Sequence, residues 1–262
     1  MPSRKFREPG PILYGRYACT HGEWLELTGE AVPEAAYAEG YLPYARLSKA
    51  NQHLFYMGRS LRVDLARYRM DKKRRYDHRR WQEFGLRRLH LDKTGFLARY
   101  GDRAATEARS WMQARFGVPY LDGAEFRHVL EKPFLQDVLV WEWNEALMAF
   151  GLIVKGTWGA HYWFAFYAPE TNGTTPPGHG YMGDFLQWAA EAGLPYAYLG
   201  TSYGLKSRYK SRGLAGIEFW DGTDWIQDRD HLAGLLQEDD AGLGNGEPVQ
   251  SSATEVPHNS LV

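Results

Sequence analysis

Cysteine is almost absent: Cys19 stands alone in 262 residues. That excludes an intrachain disulfide and any cysteine-based zinc or iron–sulfur cage. So little cysteine fits a reducing compartment, and a cytoplasmic location is the expectation. Long apolar runs are missing as well. Val138 to Trp141 and Trp163 to Ala168 fall far short of the roughly 20 residues that cross a bilayer. The basic start Met1-Pro2-Ser3-Arg4-Lys5 has no apolar h-region behind it. Neither a membrane partner nor a secretory signal is predicted. None of the 9 histidines forms an H-x-x-x-H pair, so no metal site is predicted, and a covalent acyl-enzyme is not expected.

What is abundant is hydrophobic and aromatic residues, at 44% and 15%, which argues for a folded chain. Net charge is −1, but it is unevenly placed. Between Arg59 and Lys93 stand 13 Lys or Arg against 5 Asp or Glu, an excess of +8, and the rest carries 18 against 27, or −9. A basic face for a polyanion on an otherwise acidic protein is one reading, and a solvated helix face is the other.

Punctuation divides the chain into 1–100, an N-terminal region carrying the basic segment 59–93, then a catalytic region 101–237, then a tail 238–262. Met1 to Pro11 reads as a loose arm. The tail, with Glu238-Asp239-Asp240 followed by glycines and serines, has almost nothing to bury and is predicted to be disordered. Leu54 to Tyr68 alternates like a strand with one wet face. Asp71 to Trp81 reads as a basic helix with Asp71 as N-cap. Ala104 to Phe116 reads as a helix stopped at Gly117. Gln136–Trp143, Leu147–Val154 and His161–Tyr167 are aromatic, branched runs with short links and form a predicted antiparallel meander. A helix from about Tyr181 to Ala192 and a strand Tyr196 to Leu199 follow. This order is that of a GNAT-like acyltransferase fold, an α/β (α+β) architecture with a mixed, mostly antiparallel sheet flanked by helices.

Two segments carry candidate chemistry. Gly178-His179-Gly180-Tyr181-Met182-Gly183 matches G-x-G-x-x-G, but no parallel strand directly precedes it. It reads either as a phosphate-binding helix entrance or as a turn that needs glycine. Tyr196 to Tyr203, followed by Lys206, Arg208, Tyr209 and Lys210, delivers aromatics and cations from a strand end. Such residues stack on a base and neutralise a phosphate together.

Tyr198-Leu199-Gly200 followed by Tyr209-Lys210, together with Arg62-Val63-Asp64-Leu65 running through Lys72 to Arg75, resembles the arginyl- and leucyl-tRNA–protein transferases. The likeness spans roughly residues 41 to 225. Gln52 to Gly58 stands where many relatives have cysteines. The resemblance implies transfer of an amino acid, arginine or leucine, from charged tRNA to the N-terminal α-amine of an acceptor protein. The aminoacyl-tRNA is then a co-substrate, and no other cofactor is expected. It implies Arg62, Arg74, Arg75, Arg79 and Arg80 on acceptor-stem phosphates, and Tyr203, Tyr209 and Lys210 around the 3′ adenosine. Lys206, His161, Gly178 and Gly180 would line the cleft. Glu142 or Asp184 would hold the acceptor ammonium, and backbone N–H groups near Phe164 and Leu199 would face the oxyanion. The rival expectations are an acetyl-CoA-dependent N-acetyltransferase and a non-catalytic RNA-binding adaptor.

Overall fold

The computed structural model describes residues 4–6, 24–27, 33–45, 53–116, 123–169 and 176–243. The first half runs β1 (Arg4–Phe6), β2 (Trp24–Glu26), α1 (Glu34–Ala38), β3 (Tyr41–Pro43), β4 (Leu54–Met57), β5 (Ser60–Asp64), β6 (Arg69–Met70), α2 (Lys72–Gln82), β7 (Arg87–Asp92), α3 (Lys93–Phe116) and α4 (Gly123–Leu130). The second half runs β8 (Asp137–Trp143), β9 (Ala146–Gly156), β10 (Gly159–Tyr167), α5 (Gly178–Glu191), β11 (Tyr196–Thr201), a 3-10 helix (Leu205–Lys210), β12 (Leu214–Ala215), β13 (Ile217–Trp220), β14 (Trp225–Ile226) and α6 (Arg229–Leu243). Among the described residues no helix is long and apolar enough to cross a membrane.

The main sheet has 8 strands in the order β14-β13-β5-β11-β10-β9-β8-β7. β8, β9 and β10 form the expected antiparallel meander. Asn144 and Glu145, at φ 47° and 64°, close its first hairpin with two left-handed residues, the geometry that matches strand twist. The meander strands are buried on both faces, and alternation sorts their side chains. Leu139 and Trp141 face a core with Tyr181, Phe185 and Leu186 of α5, Trp81 of α2 and Leu232 of α6. Val138 and Val140 face Phe96, Tyr100, Ala104, Trp111 and Phe126 of α3 and α4. A third core, with Tyr37, Phe55, Trp158 and Tyr198, seats the small sheet β1-β2-β4-β3 against the large one.

After the meander, α5 crosses over and β11 returns parallel to β10. Three antiparallel strands, a helix and a parallel strand make the GNAT-like mixed sheet that the element order predicts. The expected boundary at residue 100 does not divide the sheet. β5 lies between β11 and β13, and β7 pairs with β8, so strands from both halves interleave.

Asp71 caps α2 as expected, its carboxylate accepting from Arg74 N at 2.7 Å, a contact of the kind that stabilises a helix by about 1 kcal/mol. α3 starts two turns before its predicted start. Asp92 caps it by accepting from Gly95 N at 2.6 Å, and Gly95 and Gly101 lie inside the helix. The predicted disordered tail begins too early: 238–243 complete α6, and Asp239 is a buried ion-pair partner of Arg59 at 2.7 Å. The remainder of the tail lies outside the described residues, as do 1–3 and 7–11 of the predicted arm, whereas Arg4–Phe6 pairs with β2.

Candidate active site and nucleic-acid interface

The site is created where β10 and β11 part. They are in register at only two positions, Ala160↔Ala197 and His161↔Tyr198. Beyond these, β10 has an irregularity between Tyr162 and Phe164 against β9. Gly200 takes φ 77°, a conformation that disfavours residues with a Cβ, and β11 shifts register against β5 between Tyr198 and Thr201. Leu199 and Gly200 thus have no registered partner on either neighbouring strand.

Polar groups gather at this divergence. His161 is 1% exposed. One ring nitrogen, Nδ1, is 2.7 Å from the Tyr37 hydroxyl, while Nε2 is buried with no partner. Lys210 Nζ donates to Thr201 O at 2.8 Å. A Cβ on Gly200 would lie 3.6 Å from Lys210 Nζ and 3.9 Å from His161 Nε2, so both atoms flank that residue. Burial, with the Lys210 charge adding to it, pushes the His161 imidazole down to about 3, which leaves it neutral near pH 7. No local pattern in the sequence points from Tyr37 to His161, which are 124 positions apart.

The basic helix docks directly on the segment after β11. Arg74 Nη1 donates to Tyr209 O at 3.1 Å, Asp71 N donates to Gly213 O at 2.8 Å, and β6 pairs with β12. The structure therefore brings Arg74 and Arg75 together with Tyr209 and Lys210 on one side of the molecule. Lys72, Lys73, Arg75, Arg79 and Arg80 are exposed along α2, and Lys206, Arg208 and Tyr209 are exposed on the 3-10 helix. A shallow groove on α2 is lined by Lys72, Lys73, Tyr76 and Arg79.

Several expected site residues point elsewhere. Arg62 is sandwiched between the rings of Tyr196 and Trp225, each 4.0 Å away, and donates to Glu218 at 2.7 Å. It staples the sheet edge and does not reach outward as a phosphate ligand must. Tyr203 is buried, and its hydroxyl accepts from Arg59 N at 2.6 Å. Glu142 is buried with both oxygens engaged: Arg87 and Arg99 donate at 2.6 and 2.7 Å, and Tyr100 donates too. Burial alone would raise the Glu142 carboxyl, but the hydrogen bonds from Tyr100 and Arg87 and the two guanidinium charges outweigh it and hold it below the usual range. Asp184 accepts from Trp141 Nε1 at 2.7 Å and Arg88 Nη1 at 3.1 Å, and Tyr162 and Tyr68 lie within reach of its charge.

The glycine motif is explained by packing. A Cβ on Gly178 would strike the Tyr167 ring and one on Gly180 would fall inside the Trp81 indole. The head of α5 is therefore covered by aromatic side chains. A second motif escaped sequence reading: Gly200-Thr201-Ser202-Tyr203-Gly204 is a literal G-x-S-x-G between a strand and a helical turn. Ser202 is fully buried, however, and its Oγ pairs with Ser207 Oγ at 3.1 Å. Its hydroxyl has no imidazole partner among the described residues, so the geometry is not that of an activated nucleophile.

No protein-family model and no curated protein sequence matches the chain. Among solved structures it is similar to the C-terminal domain of an Agrobacterium fabrum protein described as a lysylphosphatidylglycerol synthetase (TM-score 0.43, 15% identity, 69% of this chain and 64% of that one). It is also similar to FemX (TM-score 0.46, 12% identity, 77% and 70%) and to L-PGS from Bacillus licheniformis (0.42, 15%, 68% and 64%). The chain thus spans under two thirds of the length of the first and third of these.

Proposed function

We propose that this chain transfers an amino acid, arginine or leucine, from charged tRNA to the N-terminal α-amine of an acceptor protein by direct aminolysis. The observation that carries the reading is the bond from Arg74 to the Tyr209 carbonyl. It joins a cationic helix to the aromatic and cationic segment beside the β10–β11 divergence, so one polyanion spans both.

In this reading the exposed cations of α2 take acceptor-stem phosphates, which gives affinity without reading sequence. Tyr209 stacks on the terminal base and Lys210 neutralises its phosphate. Asp184 holds the acceptor ammonium, since Glu142 is already neutralised by two arginines. The amine, once it loses a proton, attacks the ester carbon; the N–C bond forms, the bond to the ribose oxygen breaks, and that oxygen leaves with a proton. The ester is already activated, so alignment and oxyanion stabilisation by the unshared backbone near Leu199 supply most of the acceleration. No cofactor beyond charged tRNA is required.

The test incubates the protein with tRNA charged with labelled arginine or leucine and peptides beginning with Asp, Glu, Lys or Arg. Label is expected on a peptide N-terminus, and charge reversal at Arg79 and Arg80 is expected to weaken tRNA binding and reduce its salt slope by about one per residue. No transfer with any combination, alongside acetylation of the same peptides by acetyl-CoA, refutes the reading.

A further inference from the structure

We infer that Arg74 Nη2 and Tyr68 Oη form a site for a single phosphoryl anion, separate from the exposed cations of α2. This deepens the reading above by placing one phosphate of the nucleic acid at a defined buried point.

Arg74 occupies the first turn of α2, and only its Nη1 is engaged, by the Tyr209 carbonyl. Its Nη2 is buried without a hydrogen-bond partner, and so is the Tyr68 hydroxyl. No carboxylate forms an ion pair with this guanidinium among the described residues; Asp71 is committed to the Arg74 amide. A buried cation with an unfilled donor is costly unless an anion meets it. Tyr68 and Arg74 lie within electrostatic reach of each other, so a donor N–H and a phenol O–H serve the same anion. Behind them, Tyr181 is fully buried and its hydroxyl is also without a partner.

A phosphoryl group suits this set. It offers several acceptor oxygens to a guanidinium fork and a hydroxyl at once. The start of α2 adds the positive end of its dipole, and Lys72, Lys73 and Arg75 surround the approach with charge. Tyr209, 38% exposed and tied to Arg74, supplies a ring beside the anion on which a base can stack.

The test follows thermal unfolding of the full chain against inorganic phosphate at constant ionic strength, for the parent protein, Tyr68→Phe and Arg74→Lys. The parent is expected to gain roughly 5 to 10 °C at a phosphate concentration a hundredfold above Kd. Tyr68→Phe removes only a hydroxyl that has no partner in the fold, and is expected to weaken phosphate about tenfold or more. Arg74→Lys keeps the charge but loses the fork, and should weaken phosphate likewise. No dependence in the parent, the same dependence in all three proteins, or an equal shift with acetate overturns the site. Adenosine 5′-monophosphate separates the sources: tighter binding than phosphate supports a nucleotide terminus, and equal binding supports the site as one for free phosphate. The readout is binding alone, so failure of the transfer reaction leaves it standing and its own failure is recognised separately.

Discussion

Replacing Gly180 with alanine decides what the glycines at the head of α5 are for. A Cβ there falls inside the indole of Trp81, a ring 4% exposed. His78 stacks beside that ring at 5.8 Å and Tyr181 meets it edge-on at 5.5 Å, which leaves it nowhere to retreat. Overpacking of this kind costs about 1–3 kcal/mol, against which the better helix propensity of alanine offsets about 1 kcal/mol. A net loss of about 1–2 kcal/mol lowers Tm by roughly 2–8 °C in a chain of this size. Gly183 provides the internal control. Its Cβ would lie 3.2 Å from His78 Nδ1, close enough to need only a few tenths of an ångström from the imidazole, so the helix gain cancels the crowding and Tm stays within about 2 °C. Differential scanning calorimetry of both variants makes the comparison. A Gly180→Ala protein that melts at or above the parent temperature refutes the packing explanation and reopens that helix entrance as a phosphate cradle.

Two pH experiments test the buried ionisable groups. Glu142→Gln leaves Arg87, Arg99 and Tyr100 short of an acceptor, and a loss of about 1–3 kcal/mol is expected near pH 7. The folded carboxyl is held below its ordinary value, so its contribution is present above about pH 4.3 and disappears as pH falls through the folded value. Urea midpoints of parent and variant should therefore converge on acidification, and a gap that stays constant from pH 7 to 3 contradicts the ion cluster. For His161, the unfolded imidazole binds a proton below about pH 6.5, while the folded one does not until about 3. The parent loses stability between those values as pH falls. His161→Gln should show a shallower decline over that interval, and parallel profiles would mean that the ring is not buried and neutral.

The meander and α2 were legible because their signals are local. Branched and aromatic runs with a two-residue link predict β8 and β9, and Asp71 three residues before Arg74 predicts a cap. β7 was not legible: Arg87 and Arg88 continue a basic run, and only pairing with β8 makes Leu89 and Leu91 a buried face. Gly95 and Gly101 disguised the start of α3, since helix propensity disfavours glycine while burial of Phe96 and Tyr100 overrides it. At the site, Tyr-Leu-Gly identified the bend at Gly200 and the cations near it. Arg62, Tyr203 and Glu142 were singled out by residue type, but which way each side chain turns depends on partners such as Glu218, Arg59 and Arg99, and these lie far away in the chain. The same holds for the glycines of α5, whose reason is Trp81 on another helix.

Asp239 and Asp240, near the end of α6, accept from Gly204 N at 2.8 Å and Leu205 N at 3.0 Å. They are the anions that the opening amides of the 3-10 helix require, and Asp239 is itself anchored by Arg59 from the strand edge. The loop presenting Tyr209 and Lys210 is thus braced from behind by carboxylates about thirty positions later in the sequence. A chain emerging during synthesis cannot set the orientation of that loop until α6 has been made and has packed, so the surface facing the nucleic acid is among the last parts of the fold to become rigid.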